Sequence, residues 1–151
     1  MGLKQMVAND NLAINAALVN VAAVNVGGIA ATDQKPLFIV PSVGPSGAKG
    51  IQIDDIEIVS DVATTGSDDS NKYAFQVHDM LGDADLLATA IDTYSGDEMT
   101  GDTAYRITPD QNNTNLAAGT VIELQVTKTG SPTDLTNAEI LVTVTWHWEV
   151  D

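Results

Sequence analysis

The chain of 151 residues has no cysteine and only six lysine and arginine residues, against 21 aspartate and glutamate residues. Without cysteine, disulfides and thiolate metal sites are excluded, so stability must come from packing and sheet hydrogen bonds, to which oligomerisation can add. The net charge of -15 repels phosphate backbones and anionic membrane surfaces, which argues against partners of either kind. No run approaches the roughly 18 uninterrupted apolar residues of a membrane span. We therefore expect no nucleic-acid partner and no membrane partner.

Residues suited to catalysis are also scarce. Serine hydrolase chemistry needs a serine, a histidine base and an orienting carboxylate, and the chain contains two histidines. A Gly-x-Ser-x-Gly elbow is absent from the sequence. Pairs of carboxylates can be chosen freely from 21 acids, so their presence carries almost no information. The sequence predicts no catalytic residues and no cofactor, and we expect the protein not to be an enzyme.

Acidic turns offer the only candidate metal ligands. An Asp-rich turn after a strand needs no metal to explain it, and the spacing of these residues matches no standard calcium site. We therefore expect no bound metal, although oxygen-rich ligands of this kind would suit calcium best. The candidate ligands are His78, Asp79, Asp83 and Asp85, and in the next acidic loop Asp97, Glu98 and Asp102.

The segment from Ala138 to Val150 has the clearest pattern in the chain. Its apolar residues take every second position, at Ile140, Val142, Val144, Trp146, Trp148 and Val150. Because side chains alternate across a strand, this period predicts a half-buried β-strand with one apolar face on a core. A second predicted strand, from Thr120 to Lys128, precedes it across a turn that contains Gly and Pro.

Shorter alternations upstream predict an all-β fold. They cover residues 36–40, 51–58, 73–77, 86–91 and 103–107, separated by turns rich in Gly, Asp, Asn and Pro. Within 51–58 the apolar parity changes across Asp54 and Asp55, which predicts a β-bulge that bends the strand. A series of about eight short antiparallel strands is typical of sandwiches, jelly rolls and small barrels. We expect a jelly roll or β-sandwich.

Residues 1–35 are less regular. Val and Asn alternate around positions 20 and 25, which favours strands or an extended arm, whereas the Ala and Leu content of 11–23 favours a helix. We expect an amino-terminal arm or the first strands in residues 1–35, followed by a jelly-roll β domain in residues 36–151. The apolar surface of the arm predicts contact with a neighbouring subunit or with another protein. The predicted contact residues are Leu12, Ile14, Leu18, Val19, Val21, Val24 and Val26.

Trp146 and Trp148 share one face of the last predicted strand. Two tryptophans spaced in this way could form a stacking platform for a sugar. They also continue the apolar stripe that begins at Ile140, so we expect them in the core or in a subunit interface. His147 lies between them on the opposite face, where we expect it to face solvent.

The segment Gly119-Thr-Val-Ile-Glu-Leu-Gln-Val-Thr-Lys, its continuation to Trp146 and the upstream Thr103-Ala-Tyr-Arg-Ile-Thr108 together resemble small structural proteins of tailed bacteriophages. The likeness in pattern covers about Ile51 to Trp146 and excludes residues 1–35. The resemblance implies a jelly-roll capsid decoration protein, also called a cement protein, on the outer surface of the virion. Its implied partners are the major capsid protein and further copies of itself, expected as a homotrimer.

The composition is compatible with that implied role. A protein outside a DNA-filled shell needs few basic residues, and it cannot depend on disulfides if it accumulates in a reducing host cytoplasm before assembly. The main alternative is a fibre-tip or receptor-binding module of a phage particle that recognises a host glycan. A secreted carbohydrate-binding or hydrolytic domain fits less well, because the sequence shows neither a signal-peptide layout nor a catalytic motif.

Overall fold

The computed structural model describes residues 17–26, 28–29, 31–64, 68–94, 99–132, 135 and 138–150. These residues form β-strands and connecting turns, and they include no helix long and apolar enough to cross a membrane. The strands are β1 (Leu18–Asn25), β2 (Thr32–Ile39), β3 (Ala48–Ser60), β4 (Lys72–Asp79), β5 (Ala84–Asp85), β6 (Ile91–Asp92), β7 (Ala104–Ile107), β8 (Asn115–Ala117), β9 (Val121–Thr129) and β10 (Glu139–Val150).

The strands form two antiparallel sheets. Sheet A has the order β1-β10-β3-β7, with β8 also beside β3, and sheet B has the order β2-β9-β4-β5, with β6 also beside β4. The pairs are nested along the chain: β1 with β10, β2 with β9, β3 with β7 and β8, and β4 with β5 and β6. An antiparallel ribbon rolled over itself in this way is a jelly roll, so the predicted fold is confirmed. Ten strands replace the expected eight or so because two sheet positions are each filled by two short strands.

The core lies between the two sheets. Sheet A contributes the stripe of β10 in which Ile140, Val142, Val144 and Trp146 are buried, as the alternation predicted. Sheet B faces it with residues of β4 and β9, among them Phe75, Val77, Ile122, Leu124 and Val126. Each fully buried side chain of this size contributes about 1.5–3 kcal/mol, which is why the fold needs no disulfide.

The predicted β-bulge is present in β3. Thr145 of β10 pairs with Asp55 and Trp146 pairs with Ile53, so Asp54 is the extra residue. The insertion keeps both Ile53 and Ile56 buried although they stand three positions apart. It also separates the part of β3 that pairs with β7 from the part that pairs with β8.

Two predicted strand boundaries are wrong. Residues 86–91 are not one continuous strand, because only Ile91 belongs to a strand, β6. At Leu87 the Gln76 side chain takes the place of a strand partner: its Oε1 accepts from the Leu87 amide at 3.0 Å and its Nε2 donates to the Leu87 carbonyl at 3.4 Å. The strand predicted at 36–40 begins earlier, at Thr32, and Pro36 lies inside it beside a second bulge at Leu37. This strand, β2, is an edge strand, which is the position that tolerates proline.

The amino-terminal region contributes strands where it is described. Residues 18–23 belong to β1, so the helical alternative for them is wrong. β1 pairs with β10 and β2 pairs with β9, so residues on both sides of position 35 take part in the two sheets. The division of the chain into residues 1–35 and 36–151 stays a prediction.

Candidate interaction surface

The edge strand β1 exposes its valines and turns its asparagine inward. Val19 and Val21 are 57% and 58% exposed, whereas Asn20 is half-buried on the opposite face of the strand. The Asn20 Oδ1 accepts a hydrogen bond of 2.7 Å from the Trp146 indole Nε1. An indole N–H at a largely buried position needs an acceptor, and Asn20 supplies it from the neighbouring strand. The orientation of β1 therefore creates an exposed apolar edge on sheet A.

The outer face of sheet A is built from four cross-strand rows. From one end of β1 to the other, these rows are Val19-Thr145-Asp55, Val21-Thr143-Glu57-Arg106, Ala23-Leu141-Val59-Ala104 and Asn25-Glu139. The third row is entirely apolar, and carboxylates stand in the rows on either side of it. This face combines an apolar strip with an excess of negative charge.

A groove of 240 Å³ follows the apolar row. Its floor consists of Ala23, Val59 and Leu141, and the carboxylates of Asp61, Asp102 and Glu139 line it as well. Asp61 is held in place because its Oδ1 accepts a hydrogen bond of 2.8 Å from the backbone amide of Glu139. An apolar floor with carboxylates at the rim can accept a long side chain that carries a positive charge at its tip.

The opposite end of the same face is occupied by ion pairs. The Arg106 Nε donates to the Asp55 Oδ2 at 2.7 Å, and this hydrogen bond is the main reason why the pKa of Arg106 is raised above its ordinary value. The His147 Nδ1 lies 2.8 Å from the Asp54 Oδ1 at the bulge. A wider depression of 590 Å³ runs along this end, lined in part by Ala17, Asp54 and Arg106. The guanidinium of Arg106 in this depression is already paired with Asp55. The apolar groove is therefore the better candidate for a partner contact.

The two tryptophans do not form an open stacking platform. Trp146 is 4% exposed, and its ring meets that of Trp148 edge-on, with centroids 5.2 Å apart and an interplanar angle of 89°. Trp148 is half-buried against the core, and the loop backbone at Gly44 lies directly on its ring. A Cβ atom added to Gly44 would stand 2.7 Å from the Trp148 Cζ3. Trp146 therefore belongs to the core, the first of the two positions expected for it.

The candidate metal ligands do not converge. His78 Nδ1 lies 3.1 Å from the Oε1 of the fully buried Glu123, and its Nε2 lies 3.5 Å from Asp83. The Asp79 Oδ1 accepts hydrogen bonds from the amides of Leu81 and Gly82, as in an ordinary turn. Among the described residues, no group of three His, Asp or Glu side chains could hold a metal ion. Of the second acidic loop, Asp97 and Glu98 lie outside the described residues.

The residues predicted for contacts divide into two sets. Val26 and Trp146 are buried in this chain's own core, and Val24 and Trp148 are partly buried against it, so their contact with a partner stays a prediction. Leu18, Val19 and Val21 are exposed on β1, so their contact with a partner stays a prediction. Leu12 and Ile14 lie outside the described residues.

Sequence reasoning missed the floor and the rim of the groove. Leu141 and Val59 are apolar residues at positions where the alternation of their strands calls for polar ones. Such out-of-phase apolar residues are a usable signal for an exposed apolar row, but their alignment across β1, β10 and β3 depends on strand pairing.

The fold has a known counterpart. No protein-family model matches the chain, and no curated protein is similar to it in sequence. A chain of the cyanophage Pam1 capsid asymmetric unit matches it with a TM-score of 0.57 and 16% identity, over 88% of this chain and 85% of that chain. A chain of infectious bursal disease virus, Gx strain, gives a TM-score of 0.36 and 12% identity over 88% of this chain and 32% of that chain, a score too low to support any conclusion. The chain thus shares its jelly-roll fold, across most of both lengths, with a chain of the cyanophage Pam1 capsid asymmetric unit.

Proposed function

We propose that the chain is a virion structural protein that binds the outside of a bacteriophage capsid as a homo-oligomer and stabilises the shell. The observation that carries the proposal is the shared fold with a chain of the cyanophage Pam1 capsid asymmetric unit, which extends over 88% of this chain. The proposal includes that the protein is not an enzyme and that it acts through contacts alone.

The surface of the molecule supports this role. With a net charge of -15 the protein is repelled by packaged DNA, so the outside of a shell suits it better than the inside. Sheet A offers an exposed apolar strip beside carboxylates, which is the kind of surface that a protein partner covers. Trp146 is buried, and Trp148 is half-buried beneath the loop at Gly44, which gives little support to the glycan-binding alternative.

The mechanism of stabilisation is mechanical. A subunit that contacts two neighbouring shell proteins buries surface on both of them, and that binding energy must be overcome before the shell proteins separate. A specific interface of this kind buries about 1,200–2,000 Å² in total. Three subunits, the number expected from the resemblance, would repeat the contact around a symmetry axis of the shell.

Add-back to shells tests the proposal. Empty shells of the phage that encodes the chain, prepared without it, are mixed with the purified protein, and occupancy is measured by electron microscopy and co-sedimentation. We expect saturable binding at a fixed number of copies on the outer surface, a higher temperature for shell disruption, and a trimer by sedimentation equilibrium. Binding to host cells without binding to shells would instead support the receptor-binding alternative.

A further inference from the structure

Strand β1 is an edge strand without the usual protection against pairing. Its eight residues, Leu-Val-Asn-Val-Ala-Ala-Val-Asn, include no charged residue and no proline. It pairs with β10 in continuous register without a bulge, and within the described residues β10 is its only neighbour in sheet A. Natural edge strands normally carry charges, proline or bulges because an exposed regular edge templates another strand.

The edge strand of sheet B, β2, has the protective features that β1 lacks. β2 contains Pro36 and a bulge at Leu37, and its Asp33 and Lys35 form an ion pair of 2.6 Å. Each of these features hinders the addition of another strand. One edge strand of the molecule, β2, has features that hinder pairing, and the other, β1, lacks them. The regularity of β1 is therefore not a general property of the sandwich.

We propose that β1 accepts an added strand from the shell protein, and that this strand places a Lys or Arg side chain in the groove beside Ala23. The inference rests on the proposed function, because it names the surface through which the shell is bound. An added strand would gain backbone hydrogen bonds along β1 and would set apolar side chains against Val19 and Val21, about 4.5–5.5 Å away.

The groove determines the chemistry of the incoming side chain. Ala23, Leu141 and Val59 provide an apolar floor for a methylene stem, and Asp61, Asp102 and Glu139 provide negative charge for its tip. Arg106 is the only cation in the described rows of this face, and Asp55 already pairs with it. The groove is therefore complementary to Lys or Arg and unfavourable for an acidic side chain.

Charge also argues against a second copy of this chain as the occupant. Antiparallel pairing of two β1 strands would bring the Asp55 end of one copy beside the Glu139 end of the other, so acidic rows would meet at both ends. A basic strand from a different protein does not meet this penalty.

Two variants of the full chain test the inference on shells. The double substitution Val19→Lys with Val21→Lys puts two positive charges on the exposed edge, and we expect shell binding to weaken by at least about tenfold. Its control is Val43→Lys, which makes one substitution of the same kind at a loop position that is 84% exposed. Circular dichroism and thermal unfolding verify that each variant folds.

The second variant, Glu139→Gln with Asp102→Asn, removes rim charge without adding bulk. Asn suits position 102 because it tolerates the positive φ of 58° found there. We expect binding to weaken by about threefold and to depend less steeply on NaCl concentration. Asp83→Asn with Glu149→Gln is the matched control, since it removes the same charge elsewhere and also includes an aspartate at positive φ.

Hydrogen exchange of residues 18–25 reports on the added strand directly. We expect these amides to become protected when the unaltered chain binds shells. If the unaltered chain does not bind shells at all, the proposed function fails and the inference with it. If it binds and the β1 variant binds equally well, or added NaCl does not weaken binding, only the inference is overturned. If the β1 variant has a lower oligomer mass than the unaltered chain in the absence of shells, β1 is a contact between copies of this chain. That result would also overturn the inference.

Discussion

The indole Nε1 of Trp146 donates a hydrogen bond of 2.7 Å to the side-chain oxygen of Asn20, and this bond joins the last strand of the chain to the first. Leu18 stands opposite Trp146 in the strand register, so the bond is diagonal rather than between paired residues. Because Asn20 points inward, Val19 and Val21 point outward. The bond therefore helps to determine which side chains of β1 a partner could contact.

Loss of the Asn20 side chain should destabilise the fold. Asn20→Ala leaves the largely buried indole N–H of Trp146 without its acceptor, and we expect the free energy of unfolding to fall by about 1–3 kcal/mol. Urea unfolding followed by tryptophan fluorescence measures the change. A double-mutant cycle with Trp146→Phe isolates the hydrogen bond, and additive effects of the two substitutions would contradict the predicted coupling.

A side chain at position 44 should displace Trp148. The Cβ of Gly44→Ala would lie within 2.9 Å of three ring atoms, and the ring cannot retreat freely because it packs edge-on against Trp146. We expect a loss of about 1–3 kcal/mol and an altered near-ultraviolet circular dichroism spectrum. Ser42→Ala, in the same loop, is the control and should leave the spectrum unchanged.

Deletion of the bulge residue should be tolerated. Without Asp54 the sequence Ile51-Gln-Ile-Asp-Ile-Glu-Ile alternates perfectly, so β3 can pair with β10 in regular register. We expect a cost of at most about 2 kcal/mol together with loss of the His147 contact. Deletion of Glu57, by contrast, moves one set of isoleucines out of the core and should cost about 2–5 kcal/mol. Equal stability of the two deletion variants would show that the bulge does not set the register.

The ion pair at Lys72 should make stability depend on alkaline pH. Lys72 Nζ hydrogen-bonds to Asp92 and lies 3.2 Å from Asp69, and the bond to Asp92 is the main cause that raises the Lys72 pKa above its ordinary 10.5. A pKa raised by folding stabilises the folded state below the unfolded-state value, and the effect disappears as pH rises through the folded-state pKa.

The measurement compares Lys72→Met with the unaltered chain. We expect the variant to be less stable near neutral pH and the difference in urea midpoint to shrink above pH 10.5. In an Asp92→Asn background the same substitution should have a smaller effect with a weaker pH dependence. If the difference in urea midpoint between Lys72→Met and the unaltered chain stays constant from neutral to alkaline pH, the charge of Lys72 does not contribute to stability.

Strict alternation was enough to predict much of the fold. β10, β9 and β4 appear where apolar residues take every second position, and the bulge appears where the parity changes at Asp54. The region 86–90 was not predictable in the same way, because distant groups bond its backbone: the Gln76 side chain bonds Leu87, and the carbonyls of Val77 and Thr108 accept from the amides of Leu86 and Ala88. Local sequence contains no information about a hydrogen-bond partner that lies on another strand.

The sequence by itself determined that the described part of the chain is all-β, that β10 buries the stripe from Ile140 to Trp146, and that no disulfide contributes. Only the tertiary structure decided which face of β1 is exposed and that Ala23, Leu141 and Val59 line up as one row. The reason is that both faces of β1 are nearly equal in polarity, so its own sequence favours neither orientation. The choice follows from pairing with β10, where Trp146 requires an acceptor that Asn20 can offer only by turning inward.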